Sequence, residues 1–419
     1  MEDKAFFATV LGVKDPWHIS RVELNTAGRR VDIYIEHRSK VRFPCPRCHQ
    51  FCGVYDHSNE REFRHLNICQ MATYLHVRVP RVQCPEHGIQ QIVHGLSEDN
   101  GTLTYELERM VLDIEQECSV SSTARLLGLD WHSCWDIQER AVARGQARKP
   151  HQLPARIGVD EKSFARGQRY ETLVYDIDRG VVEHVCDNRD QAALEQYYRQ
   201  FTVDQRAAVV AVAMDMWDPY LAATKALIPD AAHKIVYDRF HVTRYVVDAV
   251  DKVRKQEHQQ LQKQGSDLLT GTKYLWLWNR ENIPPWRRSA FIALRCCDLK
   301  TARGWAIKEN LRHLWDYRSV SGMRRFFKRW YQWAIRCQLA PMIKAARTLK
   351  AHIDNIVTYA LHGITNALGE SLNSKIEKVK RLACGFRNRS HYRTAIYFHC
   401  GGLDLYPRRS SIAHQVITP

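Results

Sequence analysis

Arg156-Ile157-Gly158-Val159-Asp160-Glu161-Lys162 is the stretch that decides the fold. Ile157 and Val159 share one face of a short buried strand, and the strand runs out on an acid where it meets the edge of a sheet. A carboxylate in that position loses hydration and needs a compensating partner. Asp160 is the better placed of the two acids, because Glu161 has the side-chain parity of Val159.

Downstream, Tyr170 to Asp178 and Val181 to Asp187 read as two more strands across an Asp178-Arg179-Gly180 turn, followed by a helix over Asp190 to Phe201. Ala207 to Met214 is a continuous apolar run, as expected of a strand buried on both faces, and it ends at Asp215. A helix through Leu221 to Leu227 leads to a strand at His233 to Tyr237, which ends at Asp238-Arg239-Phe240-His241. Three antiparallel strands, a helix, a central strand, a helix and a fifth strand is the element order of the ribonuclease-H-like fold.

From about Val242 to Tyr359 the chain reads as helical and carries seven of the eleven tryptophans. Aromatics at helical spacing are read as core, and Arg325, Arg329 and Arg336 lie along the side of a stripe made by Phe326, Phe327, Trp330 and Ala334. The helix Ile364 to Lys380 has an apolar stripe (Ile364, Leu368, Leu372, Ile376, Val379) with Asn366, Glu370, Asn373 and Glu377 opposite. Glu370 is thus an acid presented by a helix whose back is packed. A basic segment follows, with Lys375, Lys380, Arg381 and Arg387 suited to phosphate contact.

Asp160, Asp215 and Glu370 are hard oxygen ligands of the kind that hold Mg²⁺ or Mn²⁺. Two such ions about 4 Å apart activate a water or a 3′-hydroxyl on one side of a phosphate and stabilise the leaving oxygen on the other. The reaction class is phosphodiester hydrolysis or transesterification.

Upstream of Asp160 the modules are small and basic. Ile19 to Leu24 and Arg30 to His37 form a hairpin, after which Cys45-Pro46-Arg47-Cys48 and Cys84-Pro85-Glu86-His87 flank a β-rich interval. Two such knuckles supply Cys45, Cys48, Cys84 and His87 as tetrahedral ligands for a structural zinc, with His49, Cys52, His57 and Cys69 as possible replacements. A helix from Thr104, a second over Val120 to Leu129 and a third over Trp131 to Val142 give a helix-turn-helix layout, with Arg125, Arg140 and Arg144 available for DNA. Gly145 to Pro154 reads as a linker.

The whole chain of 419 residues carries a net charge of +16, which suits a polyanionic partner. Thirteen cysteines without a secretory signal indicate a reducing cytosol, and no apolar run approaches the roughly 20 residues of a membrane span.

Taken in order, the knuckles, the helix-turn-helix, Gly158-Val159-Asp160-Glu161, Ala213 to Tyr220, Asp238 to His241, and Asn366 to Lys375 followed by Gly385-Phe386-Arg387-Asn388 resemble the DDE transposases of bacterial insertion sequences, in the ISL3 group. The resemblance implies a multidomain α/β protein with a ribonuclease-H-like core interrupted by an all-helical insertion. It also implies cut-and-paste transposition on double-stranded DNA, recognition of terminal inverted repeats by the N-terminal modules, and divalent-metal catalysis. Asp160, Asp215 and Glu370 correspond to the first, second and third acids, and Asp238 with His241 to a supporting Asp-x-x-His signature. His87 stands where the family is expected to have a cysteine. The expected division is a zinc-knuckle β module (1–100), a helix-turn-helix domain (101–150), catalytic core (151–245), helical insertion (246–358) and the rest of the core (359–419). A homodimer on paired ends and a bacterial cytoplasmic, nucleoid-associated location are further expectations. The alternatives are a transposase-derived regulator that binds DNA without cutting, and a nuclease that only hydrolyses.

Overall fold

Alternation of apolar and polar residues lays down the first sheet. The computed structural model describes residues 3–98, 101–165, 169–365 and 367–408, which group into two compact units, residues 1–150 with 378–419 and residues 151–377. In the first unit β1 (Trp17–Asn25) and β2 (Arg30–His37) form the antiparallel hairpin, with Val31, Ile33 and Ile35 buried and their neighbours turned outward. β3 (Arg42–Pro44), β4 (Phe51–Ile68), β5 (Met71–Cys84) and β6 (Gly88–Gln91) complete a sheet of order β1-β2-β5-β4-β3, with β6 paired to β5. β4 and β5 are one long hairpin whose tip, Cys69-Gln70, takes left-handed φ values of 48° and 62°.

Three helices follow, Tyr105–Glu117, Val120–Leu127 and Trp131–Arg148. Each starts where a side-chain oxygen can satisfy an orphan amide: Thr104, Ser119 and Asp130 accept from Leu107, Ser122 and Ser133. Gly128 ends the second helix in the left-handed conformation.

The second unit is built on a five-stranded sheet of order β11-β10-β7-β8-β9: β7 (Arg156–Ala165), β8 (Arg169–Asp176), β9 (Val181–Asp187), β10 (Ala211–Met214) and β11 (Ile235–Tyr237). β7, β8 and β9 are antiparallel neighbours, whereas β10 runs parallel to both β7 and β11. All four residues of β10 and all three of β11 are buried, as expected for parallel strands covered on both faces. Helices from Arg239–Lys263 to Tyr359–His362 share one apolar core with the sheet, and Trp276, Trp305 and Trp330 lie inside it. Trp286, by contrast, is 79% exposed. In the helix Val320–Arg336 the stripe Phe326, Phe327, Trp330 and Ala334 is buried while Arg325, Arg329 and Arg336 face solvent.

Several boundaries differ from the sequence expectation. The apolar run beginning at Ala207 is a strand only from Ala211, because Thr202 and Gln205 form a reciprocal capping box that starts the helix Val203–Ala207. The expected linker at Gly145 is instead helix as far as Arg148. Gly145 sits against Leu403, where a Cβ would come within 2.7 Å of the Leu403 Cβ, so the glycine marks close packing and not a break. His233 belongs to the short helix Ala231–Lys234, and the last strand begins at Ile235. The Glu370 helix spans Ala367–Leu382. Asn366 lies outside the described residues.

Candidate functional site

The four knuckle residues converge. Cys45, Cys48, Cys84 and His87 each offer a ligand atom within 4.8 Å of all the others. The Cys48 and Cys84 sulfurs are 3.5 Å apart, and His87 Nδ1 is 3.5 Å from Cys84 Sγ and 3.9 Å from Cys45 Sγ. Those separations are what tetrahedral edges require when zinc–sulfur bonds are about 2.3 Å and zinc–nitrogen bonds about 2.0 Å. The positioning is local: β3 and β4 flank the first pair, and the β5–β6 turn carries the second. Although the backbone N–H of Gln50 favours its thiolate, burial and the sulfurs of Cys84 and Cys45 push Cys48 up to about 11. Burial opposes ionisation of Cys84, but the His87 ring and the backbone amides of Glu86 and His87 bring it down to about 6. Of the spare ligands, Cys52 turns its thiol to the Gln50 carbonyl, His57 faces His37 and Cys69 is exposed on the hairpin tip.

One other group among the described residues gathers comparable atoms, Asp32, Glu62 and His76. Arg30 already supplies its cation, donating to Asp32 at 2.8 Å and Glu62 at 2.5 Å, so it is an ion-pair network.

The acids of the second unit are assembled by sheet register. Val159 pairs with Met214, and Met214 with Tyr237, so the next residues, Asp160, Asp215 and Asp238, stand side by side. Asp215 and Asp238 lie just past the ends of β10 and β11, whereas β7 does not run out at Asp160 as expected but continues to Ala165, held by its antiparallel pairing with β8. The Asp238 amide donates to the Met214 carbonyl at 3.0 Å, which extends that register by one step. Asp160 is buried, with Oδ1 accepting from the Glu161 amide and Oδ2 from Asn373 Nδ2, each at 2.7 Å. Burial outweighs those bonds and, with the charges of Glu161 and Asp238, moves Asp160 up to about 6. Asp215 is pushed further, to about 8, by burial and then by Asp160, Asp238 and Glu161. Its Oδ2 lies 3.1 Å from His241 Nδ1, while its buried Oδ1 has no hydrogen-bond partner. Burial also pulls His241 down, which favours a neutral ring beside the Asp215 carboxyl. Asp238 caps the helix Arg239–Lys263, accepting from the amides of Phe240 and His241.

Glu370 projects from the first turn of its helix, exposed, and lines a cavity of about 490 Å³ together with Asp238, Arg239, Arg312 and Thr365. Asp160, Asp238, Asp215 and Glu370 all add to the burial that raises Tyr175 far above the ordinary phenol range. The Tyr175 hydroxyl is buried without a hydrogen-bond partner. The four acids are set more widely than the zinc ligands, since no three of them bring oxygens within 4.8 Å. The orphaned Asp215 oxygen and the all-oxygen donor set fit a hard divalent cation.

Glu161 points elsewhere and pairs with Arg189 at 2.9 Å, whose guanidinium lies 4.3 Å over the Trp217 ring. Asn373, Lys162, Tyr175 and Gly158 are the neighbours that sequence reasoning gave no role. Period-two alternation was the available signal for two of them, since Gly158, Asp160 and Lys162 share a face of β7. A Cβ on Gly158 would fall 1.9 Å from the Tyr175 ring.

The residues expected to meet DNA are divided. Arg125, Lys375 and Arg387 are exposed. Arg140 is paired with Glu108 at 2.5 Å, and Arg144 is held by Glu98 and by the Leu405 carbonyl at 3.0 Å. Lys380 is half-buried and Arg381 exposed, and both have partners. Beside them in the first unit, a cavity of about 440 Å³ is lined by Trp131, Trp135, His391 and Arg387 and by Glu115, whose two buried carboxylate oxygens have no partner.

Comparison with known proteins bears on both centres. The ISL3 family model, described as a transposase, matches residues 157–396. A second model, the zinc-finger of transposases IS204, IS1001, IS1096 and IS1165, matches residues 42–87. The chain is 27% identical over 418 residues to a transposase for insertion sequence element IS1557 of Mycobacterium tuberculosis, covering 93% of each chain. It is 25% identical over 388 residues to a transposase for insertion sequence element IS1001 of Bordetella parapertussis, covering 91% of this chain and 95% of that one. Among the described residues no helix is long and apolar enough to cross a membrane.

Proposed function

The chain belongs to the ISL3 transposase family, and on that premise we propose that it binds transposon terminal inverted repeats, cleaves the DNA at the ends and joins the 3′ ends to target DNA. The observation that carries this reading is the in-register row Asp160, Asp215, Asp238 with Glu370 lining the same cavity as Asp238. The sheet order β9-β8-β7-β10-β11, three antiparallel strands followed by two parallel ones, supports a ribonuclease-H-like core. The helices between Arg239 and His362 then form the insertion that separates the second acid from the third.

Asp160, Asp215 and Glu370 would hold Mg²⁺ or Mn²⁺. When bound, such ions supply the Lewis acidity that activates an attacking water or 3′-hydroxyl and neutralises the leaving oxygen. His241 orients Asp215, and Asp238 anchors the helix that carries His241. Zinc on Cys45, Cys48, Cys84 and His87 has a structural role, because all four positions are taken by protein ligands. Arg125, Lys375 and Arg387 offer charge to DNA phosphates, and a homodimer would pair the two ends.

The test is incubation of the full chain with end-bearing DNA and Mg²⁺ or Mn²⁺, with cuts and joints mapped to the nucleotide. Cleavage at the ends with 3′-end joining is expected. Binding without cleavage would identify a regulator, and cleavage without joining a nuclease.

A further inference from the structure

Asp160 has both oxygens fixed, one by the amide of the next residue and the other by a side chain 213 positions away. The second partner, Asn373, lies one turn after Glu370 on the same helix, so the two project to neighbouring places on its surface. Its amide orientation follows from the chemistry: Nδ2 donates to the Asp160 carboxylate at 2.7 Å, whereas the flipped amide would set oxygen against oxygen. Asn373 Oδ1 is buried without a hydrogen-bond partner, so one acceptor is left unsatisfied at that spot. Lys162, on the Asp160 face of β7, reaches the same helical turn. Its Nζ donates to the Asn373 carbonyl at 3.1 Å and lies 3.2 Å from Glu377.

We propose that Asn373 and Lys162 form a latch that fixes the Glu370 helix on the Asp160 strand and so sets the separation of the first and third acids. Asn373 is the positioning residue. It aims the Asp160 carboxylate directly, and it couples that aim to the register of Glu370 because both ride on one turn. Lys162 acts on the backbone of the turn and clamps it from the strand side. Leu372 and Ile376 are buried beneath the turn, so apolar packing sets which face of the helix is turned inward but leaves small shifts along and about its axis weakly specified. The two polar contacts are directional and fix that fine setting.

This inference rests on reading the acids as a divalent-cation site. Its test is Mn²⁺ binding to the zinc-loaded full chain, followed by the resonance of free Mn²⁺, with thermal melting measured alongside. Asn373→Leu keeps the side-chain shape and removes the donor. It is expected to weaken Mn²⁺ binding roughly 10- to 100-fold, the usual consequence of losing a partner that orients a ligand, with melting unchanged. Lys162→Met should weaken binding in the same direction by a smaller factor. If Asn373→Leu does not fold, Lys162→Met decides, and wild-type affinity in it overturns the latch. Asp160→Asn separates the latch from the cation site. Loss of binding in Asp160→Asn beside wild-type binding in Asn373→Leu overturns the latch alone, whereas wild-type binding in Asp160→Asn overturns the cation site itself.

Discussion

The two centres, one in each unit, are built in opposite ways. The knuckle centre takes its four ligands from two short turns, and every ligand atom lies within 4.8 Å of the rest. The acidic centre takes Asp160 from within β7, Asp215 and Asp238 from just past β10 and β11, and a fourth acid from a helix more than two hundred residues downstream of the first, and its oxygens stand farther apart. The knuckle centre leaves no ligand position open, whereas in the acidic centre a buried Asp215 oxygen has no partner and a cavity of about 490 Å³ reaches Asp238 and Glu370. A closed, soft donor set holds structure, and an open, hard one leaves room for a substrate oxygen.

Removing the ligands of each centre tests that contrast most strongly. Chelation of zinc, or Cys84→Ser, should unfold the strands around the knuckles, since structural zinc contributes about 10 kcal/mol or more to such folds. Metal analysis with far-ultraviolet circular dichroism is the check, and an intact fold at zero zinc would break the comparison. Replacing Asp160, Asp215 or Glu370 by Ala should instead lower end cleavage by roughly 10³-fold or more while leaving melting and end binding in place. A variant that still cuts removes its residue from the site.

Gly158→Ala addresses what the acidic centre needs and the knuckles do not. The new Cβ would sit 1.9 Å from the Tyr175 ring, so the buried ring or the strands that hold it must shift, at a cost of about 3 kcal/mol. Calorimetry should show the loss in the second unit, with zinc content unchanged.

Glu115 gives the smallest effect and a control, being a buried acid with no partner and no place in either centre. Burial raises it from 4.5 to about 8, so the folded state holds a proton that the unfolded chain releases. Stability must therefore fall as pH rises from about 4.5 to about 8. Glu115→Gln should remove that slope and stabilise the protein by roughly 2 kcal/mol at pH 7, less than the full shift because the amide is still buried without partners. Melting curves across pH would show it, and an unchanged slope would assign the titration elsewhere.

The knuckles were legible because chemistry and spacing coincide: Cys-x-x-Cys and Cys-x-x-His are local, and a turn is enough to bring each pair together. Asp215 was legible from a hydrophobic run that stops at a carboxylate where β10 ends, whereas β7 runs five residues past Asp160, because its pairing with β8 and not its apolar run sets its length. At Ala207 two local signals overlap, an apolar run and the Thr202-x-x-Gln205 capping box, and the capping box prevails because it satisfies the first amides of a helix. Arg140 and Arg144 looked available for DNA because a list of basic residues does not reveal that Glu98 and Glu108 already hold them.

What the sequence by itself determined is therefore what local periodicity and short spacing encode: the two knuckles, the run that stops at Asp215, the helix that carries Glu370, and the family resemblance. The tertiary structure alone decided that Met214 pairs with both Val159 and Tyr237, that Tyr175 lies across Gly158 beneath the acids, and that Asn373 and Lys162 tie the Glu370 turn to β7. Those contacts join residues far apart in the chain. Their geometry depends on sheet register and helix rotation, which no local pattern of residues specifies.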